Sequence, residues 1–269
     1  MKTDYFNYRF SYAELSDVGK RRKKNEDRNI ICPEIGFFGV SDGMGGLRFG
    51  EETAQLVSST MPEAVKQFLQ ESGGEISPVQ AAEHLKQAIK MVSDNIFDTG
   101  NKSGRFDFGA TLSCVLLVGD HAVFGNLGDS RGYVIRRSSK HGSRQVTTDH
   151  NLASLLVKHG EITKEEAKDH YSSSQLMRFM GMEHPAEPDV FIVKLEKEDK
   201  ILLCSDGLHG MLLDEEIYQI VLKDKSSEEI VRMLIDAANA AGGKDNISSI
   251  LIKKSHKKHI KGPNRRDNL

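Results

Sequence analysis

TLSCVLLVGDHAVFGNLGDSRGYVIR, residues 111–136, carries the clearest strand pattern in the chain. It holds two apolar runs, 111–118 and 122–127, on either side of Gly119-Asp120. Gly and Asp tolerate the positive φ angles of tight turns, so this pattern reads as a β-hairpin. A third run, 132–136, follows the turn Gly128-Asp129-Ser130. Neighbouring strands joined by turns this short run antiparallel.

Working outward, further apolar runs at 35–41, 190–195, 201–205 and 247–252 read as strands. Helical patterns lie between them. Ser77-Pro78-Val79-Gln80 is a capping box with proline at the first helical position. Val79, Ala82, Leu85, Ile89, Val92 and Ile96 then fall on one helical face. Ser226 and Glu229 form a second box ahead of Ile230, Val231, Leu234, Ile235 and Ala238, and Gly242-Gly243 ends that helix. Residues 51–69 predict another helix, disturbed at Pro62, and Thr163 with Glu166 caps a short one. This order is not a regular βαβ alternation. It predicts an α+β fold, an α-β-β-α four-layer sandwich of two antiparallel sheets flanked by helix pairs.

Residues 141–188 are polar, His-rich and irregular, and read as a flap over a sheet edge. Residues 253–269, KKSHKKHIKGPNRRDNL, read as a basic, flexible tail. A length of 269 residues suits one large domain or two small ones, and residues 1–252 are expected to form one.

A composition of 38% hydrophobic and 28% charged residues predicts a folded protein rather than disorder. The net charge of −2 gives no global bias toward nucleic acid, and the basic stretches are short and carry few aromatics. No run approaches the roughly 18–20 apolar residues of a membrane span. The first sixteen residues lack the apolar core of a signal peptide, so a cytoplasmic protein is expected. Cys32, Cys114 and Cys204 show no CxxC spacing and read as small buried hydrophobes.

Chemistry enters through the acids. They fall in Asn25-Glu26-Asp27, Ser41-Asp42-Gly43-Met44-Gly45-Gly46, Gly128-Asp129-Ser130-Arg131, Ser205-Asp206-Gly207 and Lys244-Asp245-Asn246. A single Asp-Gly is an ordinary turn. Here an apolar strand runs straight into a carboxylate twice, in the matching contexts VSDG and CSDG. Strand ends at one rim can gather side chains from distant positions. Carboxylates gathered closely stay ionised together only beside a cation, and an all-oxygen set selects Mg²⁺ or Mn²⁺. Asp17-x-Gly19-x-x-Arg22 precedes these acids inside the basic run 20–24. That run reads either as a solvated or nucleic-acid-binding charge patch, or as a scaffold from which Arg22 alone turns inward to clamp a phosphate.

Taken in order, these motifs resemble the metal-dependent protein phosphatase 2C (PPM) family in its bacterial single-domain form. The series is Asp17-Val18-Gly19 with Arg22 and Asn25-Glu26-Asp27, then Val40-Ser41-Asp42-Gly43-Met44-Gly45-Gly46. It continues through Gly109-Ala110-Thr111-Leu112, Gly128-Asp129-Ser130-Arg131-Gly132-Tyr133 and Thr148-Asp149-His150. It ends with Cys204-Ser205-Asp206-Gly207-Leu208 and Gly243-Lys244-Asp245-Asn246.

The resemblance implies a serine/threonine protein phosphatase in which a water bridging two Mn²⁺ or Mg²⁺ ions attacks the phosphoester. It implies that Asp42 bridges both metals, that the Gly43 carbonyl binds one, and that Asp206 and Asp245 hold the other. Glu26 and Asp27 would act through metal-bound waters, with Asp27 orienting the nucleophile. Arg22 would bind the substrate phosphate, Asp129 with Asp206 a weaker third metal, and Asn246 would support Asp245. The expected partners are phosphorylated proteins made by a Ser/Thr kinase, with no nucleic acid and no membrane, and the protein is expected to be a monomer.

Two positions depart from the family pattern. Met44 stands where many eukaryotic members carry a histidine, as in many bacterial relatives, so no general acid is expected there. Gly210 stands where many members carry an aspartate, which weakens the third metal site. His209 beside it reads as an exposed loop histidine. The rival readings are a small-molecule phosphoesterase with the same metal pair and a non-catalytic phosphoprotein-binding pseudophosphatase. The complete set Arg22, Asp42, Asp206 and Asp245 argues against the second.

Overall fold

A computed structural model describes residues 9–44, 49–72, 76–102, 104, 109–137, 142–183 and 185–255. Ten strands are present among them: β1 (Arg9–Asp17), β2 (Asp27–Cys32), β3 (Phe37–Asp42), β4 (Leu112–Val118), β5 (His121–Leu127), β6 (Arg131–Ile135), β7 (Arg144–Gln145), β8 (Asp189–Lys194), β9 (Lys200–Cys204) and β10 (Ile247–Ser255). Seven α-helices accompany them: α1 (Gly50–Glu71), α2 (Pro78–Lys102), α3 (Leu152–Lys158), α4 (Lys164–Asp169), α5 (Asp206–His209), α6 (Asp214–Val221) and α7 (Ser227–Ala240).

The strands form two antiparallel sheets, β1-β10-β9-β6-β7 and β2-β3-β4-β5-β8. The expected four layers follow from what each strand presents to its two faces. In β4, Leu112, Cys114 and Leu116 point to the core shared with α1 and α2, while Val115 and Leu117 point to the core between the sheets. In β9, Leu202 and Cys204 face the core shared with α6 and α7, while Ile201 and Leu203 face the intersheet core. Burial on both faces explains why these strands read as continuous apolar runs rather than as alternating ones.

Both expected capping boxes at α2 and α7 form, through Ser77 with Gln80 and Ser226 with Glu229. The box of Thr163 and Glu166 also forms, at α4. Several expectations are corrected. Strands β1 and β2 are not evident in the apolar pattern. Each lies at an edge of its sheet and carries polar residues, as in RFSYAELSD and DRNIIC. Ile35, expected in a strand, closes a 3-10 turn at Pro33–Ile35 that Gly36 ends at φ 65°. Pro62 does not break α1. The carbonyl it leaves without an amide partner belongs to half-buried Ser58, where water can serve it.

The segment 142–188 carries more regular structure than a polar flap suggests, with β7 on the first sheet and helices α3 and α4. At its base His150 is buried. The Gly128 amide donates to its Nδ1 at 3.2 Å, so its Nε2 donates to Asp189 at 3.1 Å. This hydrogen bond, with Arg178 adding to it, brings Asp189 down to about 2. The expected tail begins later than residue 253, because Lys253 and Lys254 continue β10 in register with Ser11 and Phe10 of β1. The rest of the tail, residues 256–269, lies outside the described residues, as do Gly45-Gly46 and residues 1–8.

Candidate metal centre and phosphate site

Register brings the acids to one rim. Asp27 opens β2 directly opposite Asp42, where β3 ends. In the other sheet, Cys204 pairs with both Arg131 and Ser249. Asp206 therefore emerges just past β9, Asp129 just before β6 and Asp245 just before β10, all at the same end.

Hydroxyl groups fix the backbone beneath them. The Asp42 amide donates to Thr111 Oγ1 at 3.0 Å, the Thr111 amide donates to the Asp42 carbonyl at 2.8 Å, and Ser41 Oγ donates to the Thr111 carbonyl at 2.8 Å. Thr111 and Ser130 share a hydroxyl–hydroxyl hydrogen bond of 2.6 Å, which couples the two sheets at this rim. Ser205 Oγ accepts the Ser248 amide at 3.0 Å and donates to Asp27 Oδ2 at 2.7 Å. Two glycines are set by close approach. Gly128, at φ 124°, lies against Thr111, where a Cβ would strike its side chain. A Cβ on Gly43 would meet the carbonyls of Gly50 and Glu26.

The electrostatics are those of crowded anions. Burial, reinforced by Asp245, raises Asp27 to about 6 against the hydrogen bond from Ser205. Burial followed by Asp245 and Asp27 raises Asp206 to about 6. Burial, then Asp27, Asp206, Asp129 and Asp245, pushes Asp42 well above the carboxylate range. Burial, then Asp206 and Asp149, does the same to Asp129. Asp149 behaves differently. Burial works to raise it, but Arg131, paired bidentately at 2.6–3.1 Å, outweighs burial and holds it low.

Of the basic side chains at the mouth, Arg22 reaches the acids: its Nη2 donates to Asp245 Oδ2 at 2.8 Å. Asn246 holds the neighbouring loop. Its Oδ1 accepts the Glu26 amide at 2.8 Å, and its Nδ2 donates to the carbonyls of Val18 and Lys24. It touches Asp245 only through its backbone amide, at 2.8 Å, so its side chain supports the loop rather than Asp245 itself. The Gly43 amide donates to the Glu26 carbonyl at 3.2 Å. His209 is not an exposed loop residue. It sits half-buried in α5, and its Nε2 donates to the Asp129 carbonyl at 2.9 Å. Burial, with Arg131 nearby, lowers it to about 3.

The donor set fits divalent cations. Oδ1 of Asp27 and Oδ1 of Asp206 are buried with no hydrogen-bond partner, which is costly unless a positive group meets them. Among the described residues no three His, Cys, Asp or Glu side chains are already closed into a ligand cage. Mutual repulsion of the acids opposes that convergence, and the fit rests on the buried, oxygen-only donors. The roles of Thr111, Ser130 and Ser205 are missed by reasoning about the acids alone. The available signal is that each lies beside or between the acid motifs, as in GATL, GDS and SDG.

The chain is similar to known proteins over most of its length. The sequence model described as Protein phosphatase 2C matches residues 30–251. The chain is 32% identical over 248 residues to the serine/threonine phosphatase stp of Listeria monocytogenes serotype 4b, covering 90% of this chain and 96% of that protein. It superposes on serine/threonine phosphatase Stp1 from Staphylococcus aureus with a TM-score of 0.82 at 30% identity, covering 92% and 96% of the two chains. It also superposes on the catalytic domain of the serine/threonine protein phosphatase PstP in complex with two manganese ions. There the TM-score is 0.73 at 27% identity, over 92% and 99% of the chains.

The chain therefore belongs to the protein phosphatase 2C family, in its bacterial form. It is a metal-dependent protein-serine/threonine phosphatase.

Proposed function

We propose that this phosphatase hydrolyses phosphoserine and phosphothreonine in proteins with a pair of Mn²⁺ or Mg²⁺ ions. Asp42 and the Gly43 carbonyl would hold one ion, and Asp42, Asp206 and Asp245 the other. Glu26 would act through an intervening water, and Asp129 would hold a weaker third ion. When bound, the ions supply the positive charge that acidifies a water and neutralises the phosphate. The observation that carries this reading is the acid rim, buried at Asp27 and Asp129 and half-buried at Asp42, Asp206 and Asp245, with two partnerless buried carboxylate oxygens on Asp27 and Asp206.

The chain's own residues do the rest. Asp27, held on one oxygen by Ser205, keeps the other free to accept a proton from the nucleophile and orient it. Arg22 is well exposed at the mouth, and one of its nitrogens is engaged by Asp245. Its Nε and Nη1 make no hydrogen bond among the described residues and are available to a phosphate. Asn246 supports the site by fixing the loop that carries Arg22 and Glu26.

The proton for the leaving alkoxide would come from water. Met44 has none to give, and His209 is neutral with its Nε2–H committed to a carbonyl. With ligands spread from Glu26 to Asp245, the chain up to Ser255 would form one catalytic domain, and a monomer would suffice. Its partners would be proteins phosphorylated by a Ser/Thr kinase. Three buried, unpaired cysteines suit a reducing compartment such as the cytoplasm, and no described helix is long and apolar enough to cross a membrane. Phosphate release from a phosphothreonine peptide, compared with a phosphorylated sugar, tests the substrate class. Turnover of the sugar alone would overturn it.

A further inference from the structure

The basic run at residues 20–24 enters the reading above only through Arg22. Its other members are held in place without being neutralised. Asn246 Nδ2 pins the loop at both ends, donating to Val18 O at 3.0 Å and Lys24 O at 2.8 Å. The Lys20 amide donates to the Gly243 carbonyl at 2.8 Å. Asp17 Oδ1 accepts the Gly19 amide and the Asn239 amide group. The backbone is thereby fixed against the segment that carries Asp245, while Lys20, Arg21, Lys23 and Lys24 are exposed.

Lys244, also exposed, lies next to Asp245 and beside the Gly243 carbonyl that holds Lys20. Lys24 approaches Glu51 at 3.8 Å, but Glu51 already accepts Arg28 at 3.0 Å. Among the described residues the side chains of Lys20, Arg21, Lys23 and Lys244 have no ion-pair or hydrogen-bond partner. Four unpaired cations therefore stand on the loop that carries Arg22 and next to Asp245, a basic rim on a protein whose net charge is −2.

We propose that this rim makes the enzyme selective for phosphoproteins whose phosphorylated residue is flanked by acidic side chains. The proposal rests on the reading of the site as a protein phosphatase. A phosphate drawn to Arg22 places the neighbouring peptide over this loop, where Asp or Glu meets fixed positive charge. Single exposed ion pairs are weak, but several acting together steer encounter and are screened by salt. Nucleic acid is the less suited polyanion, because the loop VGKRRKKN has no aromatic side chain on which a base could stack.

The test compares three substrates in Mn²⁺ at low salt: a phosphothreonine peptide flanked by Glu, the same peptide flanked by Ala, and a small aryl phosphate. The wild-type protein should favour the Glu-flanked peptide over the Ala-flanked one by about 5–20-fold in kcat/KM, shrinking toward parity in 0.5 M salt. A variant carrying Arg21→Gln, Lys23→Gln and Lys244→Gln should lose that preference and keep its rate on the aryl phosphate within about twofold. Equal wild-type rates on the two peptides would overturn the rim alone, as would a preference the triple variant retains. Equal peptide rates with inhibition by single-stranded RNA through the same side chains would assign the rim to nucleic acid. Silence on all three substrates would overturn the reading of the site and the rim with it.

Discussion

Replacing Asp206 with Asn should stabilise the metal-free protein while removing most of its activity. Asp206 opens α5 with Oδ1 buried and unpartnered, and burial, Asp245 and Asp27 raise it to about 6. An unfolded chain releases that proton near the ordinary value of 3.8. Between those values the folded protein binds more protons than the unfolded one, so stability falls as pH rises through the window and stays lowered above it. A difference of about two pH units corresponds to roughly 3 kcal/mol, and solvent at the rim reduces this to about 1–2 kcal/mol.

Asn keeps the shape and removes the charge. Each kcal/mol moves the midpoint of a chain this size by roughly 2–4 °C, so the variant should melt about 2–8 °C higher at pH 7.5 in chelator. At pH 5, where the wild-type carboxyl is largely protonated, the gain should shrink. With Mn²⁺ the order should invert, and kcat of the variant should be lower by about 10²-fold or more. A variant that melts below the wild type in chelator at pH 7.5, or gains equally at both pH values, would refute the argument that uncompensated charge dominates this rim.

Other outcomes follow from the same geometry. Arg22→Ala should raise KM for phosphopeptides by about 10-fold or more with a smaller change in kcat, measured at saturating Mn²⁺; a pure loss of kcat would show that Arg22 acts instead through Asp245. His209→Ala should change the rates on a phosphothreonine peptide and an aryl phosphate by the same factor, whereas a peptide-selective loss of about 10²-fold would make His209 the general acid. Limited proteolysis should cut first within residues 142–188, and no fragment ending near residue 140 should retain activity.

Much of this was legible in the sequence because the relevant signals are local. The Gly119-Asp120 turn, the three capping boxes and the double-faced apolar strands each declare themselves within a few residues. Asp42 and Asp206 were legible because apolar strands run straight into them. What stayed hidden depends on distant pairing. Edge strands β1 and β2 carry polar residues and are defined by their partners β10 and β3. The part played by Ser205 requires the register that sets it beside Asp27 from 178 positions away. Nor does the sequence show that Asn246 grips the loop rather than Asp245, or that His209 turns to the Asp129 carbonyl.

The central claim is tested most directly by titrating Mn²⁺ into chelator-stripped protein while heat of binding and phosphate release from a phosphothreonine peptide are followed on the same sample. Stripped protein should show no turnover, two ions should bind strongly per chain, and activity should rise with their occupancy. Full turnover in the stripped protein, or activity that rises without any ion binding at the rim, would contradict it.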